Sequence, residues 1–176
     1  MTLPEDYFLD TDDEMLSYLE KQAEQHILEL RESNARNKEN ATKLFNLLLA
    51  GAGGAFLLLV SGNVTTFFIF ILIATIIGWG GTAIYLSISC LITKNQPHLY
   101  NPPDLLYTGY YKNLTDNRSA MLSVLRRYRL NNYVEIAKRL RTLNTALAKS
   151  LDKARVAAVT VPITLVLFLV FSIIWA

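Results

Sequence analysis

The sequence lacks most of the residue patterns on which enzymes and metal proteins depend. Its 176 residues include one cysteine, Cys90, and two histidines, His26 and His98, which lie far apart. A single cysteine excludes an internal disulfide and a thiolate metal site. No carboxylate pair, Cys/His pair or Ser/His pair forms an active-site pattern, and the glycine-rich GAGGA lies inside an apolar run. We therefore expect no enzyme activity, no metal and no resident cofactor.

Charge is absent from one long part of the chain. Residues 44–93 contain no Asp, Glu, Lys or Arg. By contrast, residues 1–43 carry eleven acidic and five basic residues, and residues 94–155 carry twelve basic and four acidic ones. With 52% hydrophobic residues, the chain is too apolar for an ordinary soluble domain. A bilayer is the simplest explanation for this sorting of charge.

Three apolar segments, at about 44–60, 64–92 and 156–176, are long enough to cross a bilayer, which takes about 20 residues. Basic residues flank them, at Lys38, Lys43, Lys94, Lys153 and Arg155. Because positive residues stay on the cytoplasmic side, both charged regions are expected there. We predict a bacterial inner-membrane protein with a cytoplasmic N-terminus and a periplasmic C-terminus.

The sequence divides into four regions on this interpretation. They are a cytosolic N-terminal helix at 1–43, a transmembrane hairpin at 44–93, a cytosolic aromatic turn with helices at 94–155, and a third transmembrane helix at 156–176. The fold class is an all-α integral membrane protein. Its cytosolic helical bundle is formed by the N-terminal helix and the segment between spans two and three.

Helical periodicity supports that bundle. Thr11-Asp-Asp-Glu14 reads as a capping box with Thr11 as the N-cap. Apolar residues then recur three or four positions apart, at Leu16, Leu19, Ala23, His26 or Ile27, and Leu30. A helix of about 117–130 is followed by a cap-like start at Asn132. The next apolar series is Tyr133, Ile136, Leu140, Leu143 and Leu147. Two such stripes are expected to pair with each other.

Small residues mark possible helix contacts in the apolar segments. The candidates are Gly51, Gly54, Gly78 and Gly81, since small side chains let helix backbones approach closely in lipid. They could serve packing within the hairpin or packing between subunits of a homo-oligomer. The sequence leaves both open.

Three arginines, Arg126, Arg127 and Arg129, cluster near the end of the helix expected at 117–130. They could be positive-inside determinants and partners of the acidic N-terminal helix. They could also bind a phosphate, whose geometry suits a guanidinium group, or anionic lipid headgroups. Before them, prolines end the second span, and the aromatic segment that follows is expected to bury as a wedge against the bundle.

The segment at 104–114, DLLYTGYYKNL, and the run from Ile136 through Asn144 and Lys149 to Arg155 carry a resemblance. Together with the order of the helices, they resemble the transmembrane effectors of bacterial Pycsar anti-phage defence. The resemblance implies a membrane effector that senses a cyclic nucleotide monophosphate or another infection signal. It would then rearrange or oligomerise to impair the inner membrane.

On that basis the expected ligand contacts are Tyr107, Tyr110, Tyr111, Arg126, Arg127 and Arg129. The tyrosines would stack a base and the arginines would bind the phosphate. The expected partners are the lipid bilayer, further copies of the chain and a cyclic nucleotide, with no nucleic acid. Two other classes stay open. One is an inner-membrane immunity protein against a pore-forming toxin, and the other is a scaffold subunit of a membrane complex.

Overall fold

The structure, a computed structural model, describes residues 11–62, 65–92 and 118–174. This part of the chain is all helical, with helices α1 (Asp13–Val60), α2 (Thr66–Leu86) and α3 (Arg118–Ile174). A π-helical turn, Ser87–Leu91, extends α2. The all-α prediction is confirmed for these residues.

The first helix begins one residue later than the capping box predicts. Asp12 is the N-cap, since its Oδ1 accepts a hydrogen bond of 2.7 Å from the backbone N–H of Met15. The prediction of Thr11 as the N-cap is therefore wrong. Both residue types are good caps, and the Asp12 carboxylate also complements the positive end of the helix dipole.

The third helix has no break near Asn132. It runs without interruption from Arg118 to Ile174, so the predicted helix of about 117–130 followed by a new start is wrong. Asparagine costs a helix interior well under 1 kcal/mol relative to alanine. Leu130 and Tyr133, on either side of the expected break, are both buried in one cluster. Their burial outweighs the weak local preference for a cap.

The described chain forms two compact units. In the described residues the first comprises 11–33 of α1 and 118–143 of α3, and the second comprises 34–62, 65–92 and 144–174.

The first unit is a pair of helices that run in the same direction. Ser17 contacts Arg126 and Glu24 contacts Tyr133, and each pair is 109 positions apart. A constant separation requires parallel helices. The buried side chains are Leu16, Ile27, Leu130, Tyr133 and Leu140, with Leu19, Ala23, Leu30, Ile136 and Ala137 packed against them. The two predicted stripes thus pair over Leu16–Leu30 and Tyr133–Leu140, with Ile27 rather than His26 in the core, whereas Leu147 of the second stripe packs in the second unit.

The second unit contains parts of all three helices. Its buried residues are Ala41, Leu48, Ala83, Leu86, Cys90, Leu147, Leu151 and Ala154. A buried hydrogen bond of 2.8 Å joins Asn34 Nδ2 to Asn144 Oδ1 across α1 and α3. An Asn pair inside an apolar seam fixes register and orientation at some cost in stability.

The outside of these helices is apolar. Three helices are long and apolar enough to cross a membrane, and only 11%, 11% and 6% of the residues in their most apolar windows are buried within the protein. Leu57, Ile77, Val156 and Ile174 are all more than 60% exposed. Apolar surface of this extent is unfavourable in water. The described helices therefore have the properties expected of a membrane protein.

Candidate functional site

Arg126 contacts three polar side chains of α1. Its Nε donates to Glu20 Oε2 at 3.0 Å and its Nη2 donates to Ser17 Oγ at 2.6 Å. A third nitrogen, Nη1, lies 3.8 Å from Asp13 Oδ1. The Arg126 and Glu20 side chains are only 17% and 15% exposed. This ion pair is therefore largely withdrawn from water, where losing either partner is costly.

Arg129 shares a carboxylate with a tyrosine one turn further along α3. Glu24 Oε1 accepts from Arg129 Nη2 at 2.6 Å and from the Tyr133 hydroxyl at 2.7 Å. The Arg129 guanidinium carbon also lies 5.2 Å from the centre of the Tyr133 ring, within the range of a cation–π contact. Burial, and then the hydrogen bond to Glu24, raise the pKa of Tyr133 above its ordinary value near 10. The hydroxyl therefore stays protonated, and a hydrogen-bond donor, to a higher pH than an ordinary tyrosine does.

Arg127 contacts the backbone just before α1. Its Nη2 donates to the backbone oxygen of Thr11 at 3.1 Å. Within the part of the chain that the structure describes, the buried Arg127 Nε and the buried Glu20 Oε1 have no hydrogen-bond partner. The site thus retains one unused cationic donor and one unused anionic acceptor.

We call Glu20, Glu24, Arg126, Arg129 and Tyr133 the Arg–Glu network. Both of its arginines belong to the predicted ligand contacts, and the third predicted arginine, Arg127, follows Arg126 on α3. The other predicted contacts, Tyr107, Tyr110 and Tyr111, lie outside the described residues. The network agrees with the interpretation of these arginines as partners of the acidic N-terminal helix. Phosphate binding stays a prediction.

The sequence indicated the acidic N-terminal helix as a partner of these arginines, but it did not single out Glu20 and Glu24. Glu20 and Glu24 are four residues apart, so they lie on one face of α1. That spacing is visible in the sequence. Their position opposite Arg126 and Arg129, however, depends on the register between two helices that are far apart along the chain. Tyr133 was predicted only as an apolar core residue, although a buried tyrosine hydroxyl usually has a hydrogen-bond partner.

The four predicted packing glycines fall into two classes. A Cβ at Gly51 would lie 1.8 Å from Trp79 Cζ3, and a Cβ at Gly78 would lie 2.8 Å from Val161 Cγ2. These two glycines permit close contacts inside the second unit. At Gly54 and Gly81 a Cβ would meet no atom within 4 Å. The packing of Gly54 and Gly81 against another subunit stays a prediction.

Within the described residues, no group of three or more His, Cys, Asp or Glu side chains is placed to hold a metal ion. No family model, curated protein or solved structure matches this chain.

Proposed function

We propose that this chain is a membrane effector of bacterial anti-phage defence. In this proposal a cyclic nucleotide monophosphate, made during infection, acts on the Arg–Glu network, and the membrane helices then rearrange or oligomerise and impair the inner membrane. The observation that carries the proposal is the pairing of Arg126 and Arg129 with Glu20 and Glu24. The same helices, α1 and α3, also contain segments of membrane-spanning length and apolarity.

The proposed trigger is a competition between two anions for the same arginines. A phosphate can accept two parallel hydrogen bonds from a guanidinium group, as a carboxylate does. A ligand that takes Arg126 leaves Glu20 without its main partner, although that side chain is only 15% exposed. An unpaired buried charge costs about 3–5 kcal/mol. Glu20 must therefore move towards water, and α1 must move with it.

This competition satisfies the thermodynamic requirement for a switch. A ligand shifts a conformational equilibrium only by the difference between its affinities for the two states. Here the arginines are occupied by carboxylates in one state and available to phosphate in the other, so the affinities must differ. The expected cytoplasmic position of residues 1–43 and 94–155 matches a ligand that is produced in the cytoplasm.

The proposal is tested by the membrane potential of bacteria that express the chain, with and without a pyrimidine cyclase or a panel of cyclic nucleotides. We expect depolarisation and growth arrest only when an activating nucleotide is present. An unchanged potential with every nucleotide would refute the proposal. Protection from a pore-forming toxin on expression alone would instead support the immunity class, and loss of the protein without a partner would support the scaffold class.

A matched pair of variants tests the competition itself. Glu24→Gln removes the charge that competes for Arg129 but leaves the arginine in place. A hydrogen bond to a charged group contributes about 1 kcal/mol more than one to a neutral group, and the amide oxygen can still accept from Arg129, so the variant should bind the activating nucleotide about fivefold more tightly in lipid nanodiscs. Glu32→Gln removes the same charge from an exposed position on α1 and should leave the affinity unchanged. Equal affinities for both variants would exclude a competition at Arg129.

A further inference from the structure

Pro162 leaves one backbone carbonyl of α3 without its usual helical hydrogen-bond donor. Proline has no backbone N–H, so it cannot donate to the carbonyl of Ala158 four residues earlier. The indole of Trp79, on α2, supplies a donor instead, because its Nε1 lies 3.2 Å from the Ala158 oxygen. A hydrocarbon environment contains no water that could replace this donor. Indole N–H is itself a donor only, so each group satisfies the other.

The surroundings of Trp79 hold the indole in this position. The ring lies directly over Gly51 of α1, where no side chain intervenes. Next to Trp79 in sequence, Gly78 allows α2 to approach Val161 of α3. Both glycines therefore support the approach that brings the indole to the Ala158 carbonyl.

We propose that the bond from Trp79 to Ala158 is a latch that keeps α2 packed on α3. Separating the two helices leaves a carbonyl and an indole N–H without partners in an apolar medium. Any rearrangement of these helices must therefore break this bond or exchange its donor. The proposal concerns helix packing alone and does not depend on the identity of a ligand or on the proposed function.

Cys90 offers a direct measure of the latch. It is the only cysteine of the chain, it is 2% exposed, and it packs in the same cluster as Leu147, Leu151 and Ala154 of α3. Its rate of reaction with a maleimide in lipid nanodiscs reports how often α2 leaves α3, because only the open state reacts. Trp79→Phe keeps an aromatic ring and removes the N–H. We expect it to accelerate labelling about 3- to 20-fold, from measured interhelical hydrogen bonds in membranes.

Pro162→Ala distinguishes the effect of the hydrogen bond on the labelling rate from the effect of the size of the indole ring. In that background the new N–H at position 162 can donate to Ala158, so opening leaves only the indole N–H without a partner, and Trp79→Phe should accelerate labelling less than it does beside Pro162.

Two outcomes would overturn the latch. If Trp79→Phe accelerates labelling equally with Pro162 and with Ala at that position, the ring acts through packing alone. If it accelerates labelling in neither, no latch exists. Should Trp79→Phe fail to fold, incorporation of benzothienylalanine at position 79 replaces the N–H by sulfur in a ring of nearly the same shape. It should give the same acceleration, and an unchanged rate would refute the proposal.

Discussion

A single methyl group at Gly51 should destabilise the second unit. In Gly51→Ala the new carbon would lie 1.8 Å from Cζ3 and 2.2 Å from Cε3 of Trp79. Carbon atoms pack at about 3.5–4.0 Å, so the ring must move by roughly 1.5–2 Å. The indole Nε1 is already 3.2 Å from the Ala158 oxygen, and a separation of about 3.6 Å no longer counts as a hydrogen bond. The substitution should therefore break this bond as well as crowd the ring.

The expected loss of stability combines two contributions. Overpacking costs about 1–3 kcal/mol, and an interhelical hydrogen bond in a membrane contributes roughly 0.6–1.7 kcal/mol. The preference of a helix interior for alanine over glycine, about 0.5–1 kcal/mol, offsets part of this loss. The free energy of unfolding should therefore fall by about 1–4 kcal/mol, which for a chain of this size lowers the Tm by roughly 2–15 °C.

The assay is thermal unfolding of the purified protein in one detergent, with Gly54→Ala as the matched control. Gly54 lies in the same helix, but a Cβ there meets no atom within 4 Å. Alanine also favours a helix interior over glycine by about 0.5–1 kcal/mol, so this control should keep or slightly raise the Tm. Equal Tm values for the two variants would refute the close approach of Trp79 to Gly51.

Three further predictions use the same purified protein. The overpacking in Gly78→Ala should cost about 1–3 kcal/mol, because Val161 lies 2.8 Å from the new Cβ and is stiff at χ1. A Cβ at Gly81 would meet no atom within 4 Å, so Gly81→Ala, like Gly54→Ala, should keep or slightly raise the Tm. A Tm lowered more by Gly81→Ala than by Gly78→Ala would contradict the packing. Since the pKa of Tyr133 is raised above 10, its contribution to stability should be complete below pH 10 and fall as the pH rises further. Denaturant titrations at pH 8 to 11 should show that the free energy of unfolding falls in the wild type and falls less in Tyr133→Phe. Identical pH profiles for the two proteins would count against a buried hydroxyl. Asp12→Ala should lower the free energy of unfolding by about 1 kcal/mol and speed hydrogen exchange in the first turn of α1. Asp12→Asn should retain most of the cap. Equal exchange rates in the two variants would show that Asp12 does not cap the helix.

The sequence was sufficient to predict the helical class and the apolar segments. A run of fifty residues without charge, from 44 to 93, has few solutions outside a membrane. The stripes at Leu16–Leu30 and Tyr133–Leu147 were also predictable, because a helical face repeats every three or four residues. Both signals are local and need no knowledge of the rest of the chain.

Helix boundaries were less predictable because several residues compete for the same local role. Thr11 and Asp12 are both good caps, and only the three-dimensional geometry shows Asp12 bonded to Met15. Asn132 has a weak preference for the start of a helix, but the burial of Leu130 and Tyr133 stabilises a continuous helix more strongly. Packing overrides propensities of a few tenths of a kcal/mol.

The individual partners of the charged and polar groups could not be predicted from the sequence. Glu20 and Arg126 are 106 positions apart, and Trp79 and Ala158 are 79 apart. Such pairs depend on the register between helices, which no local pattern records. Asn34 and Asn144 each come four residues, about one helical turn, after an apolar residue of the stripes, Leu30 and Leu140. Their pairing could be recognised only once the register between the parallel helices was known.

The most direct test of the central claim uses vesicles of phosphatidylethanolamine and phosphatidylglycerol that contain only the purified protein. Potassium release is recorded before and after addition of individual cyclic nucleotide monophosphates to both sides of the membrane. We expect the vesicles to stay tight without ligand, and one nucleotide to release potassium at a lower concentration for Glu24→Gln than for Glu32→Gln. Vesicles that stay tight with every nucleotide, or that release potassium equally without any, would contradict the claim that this chain is a ligand-controlled membrane effector.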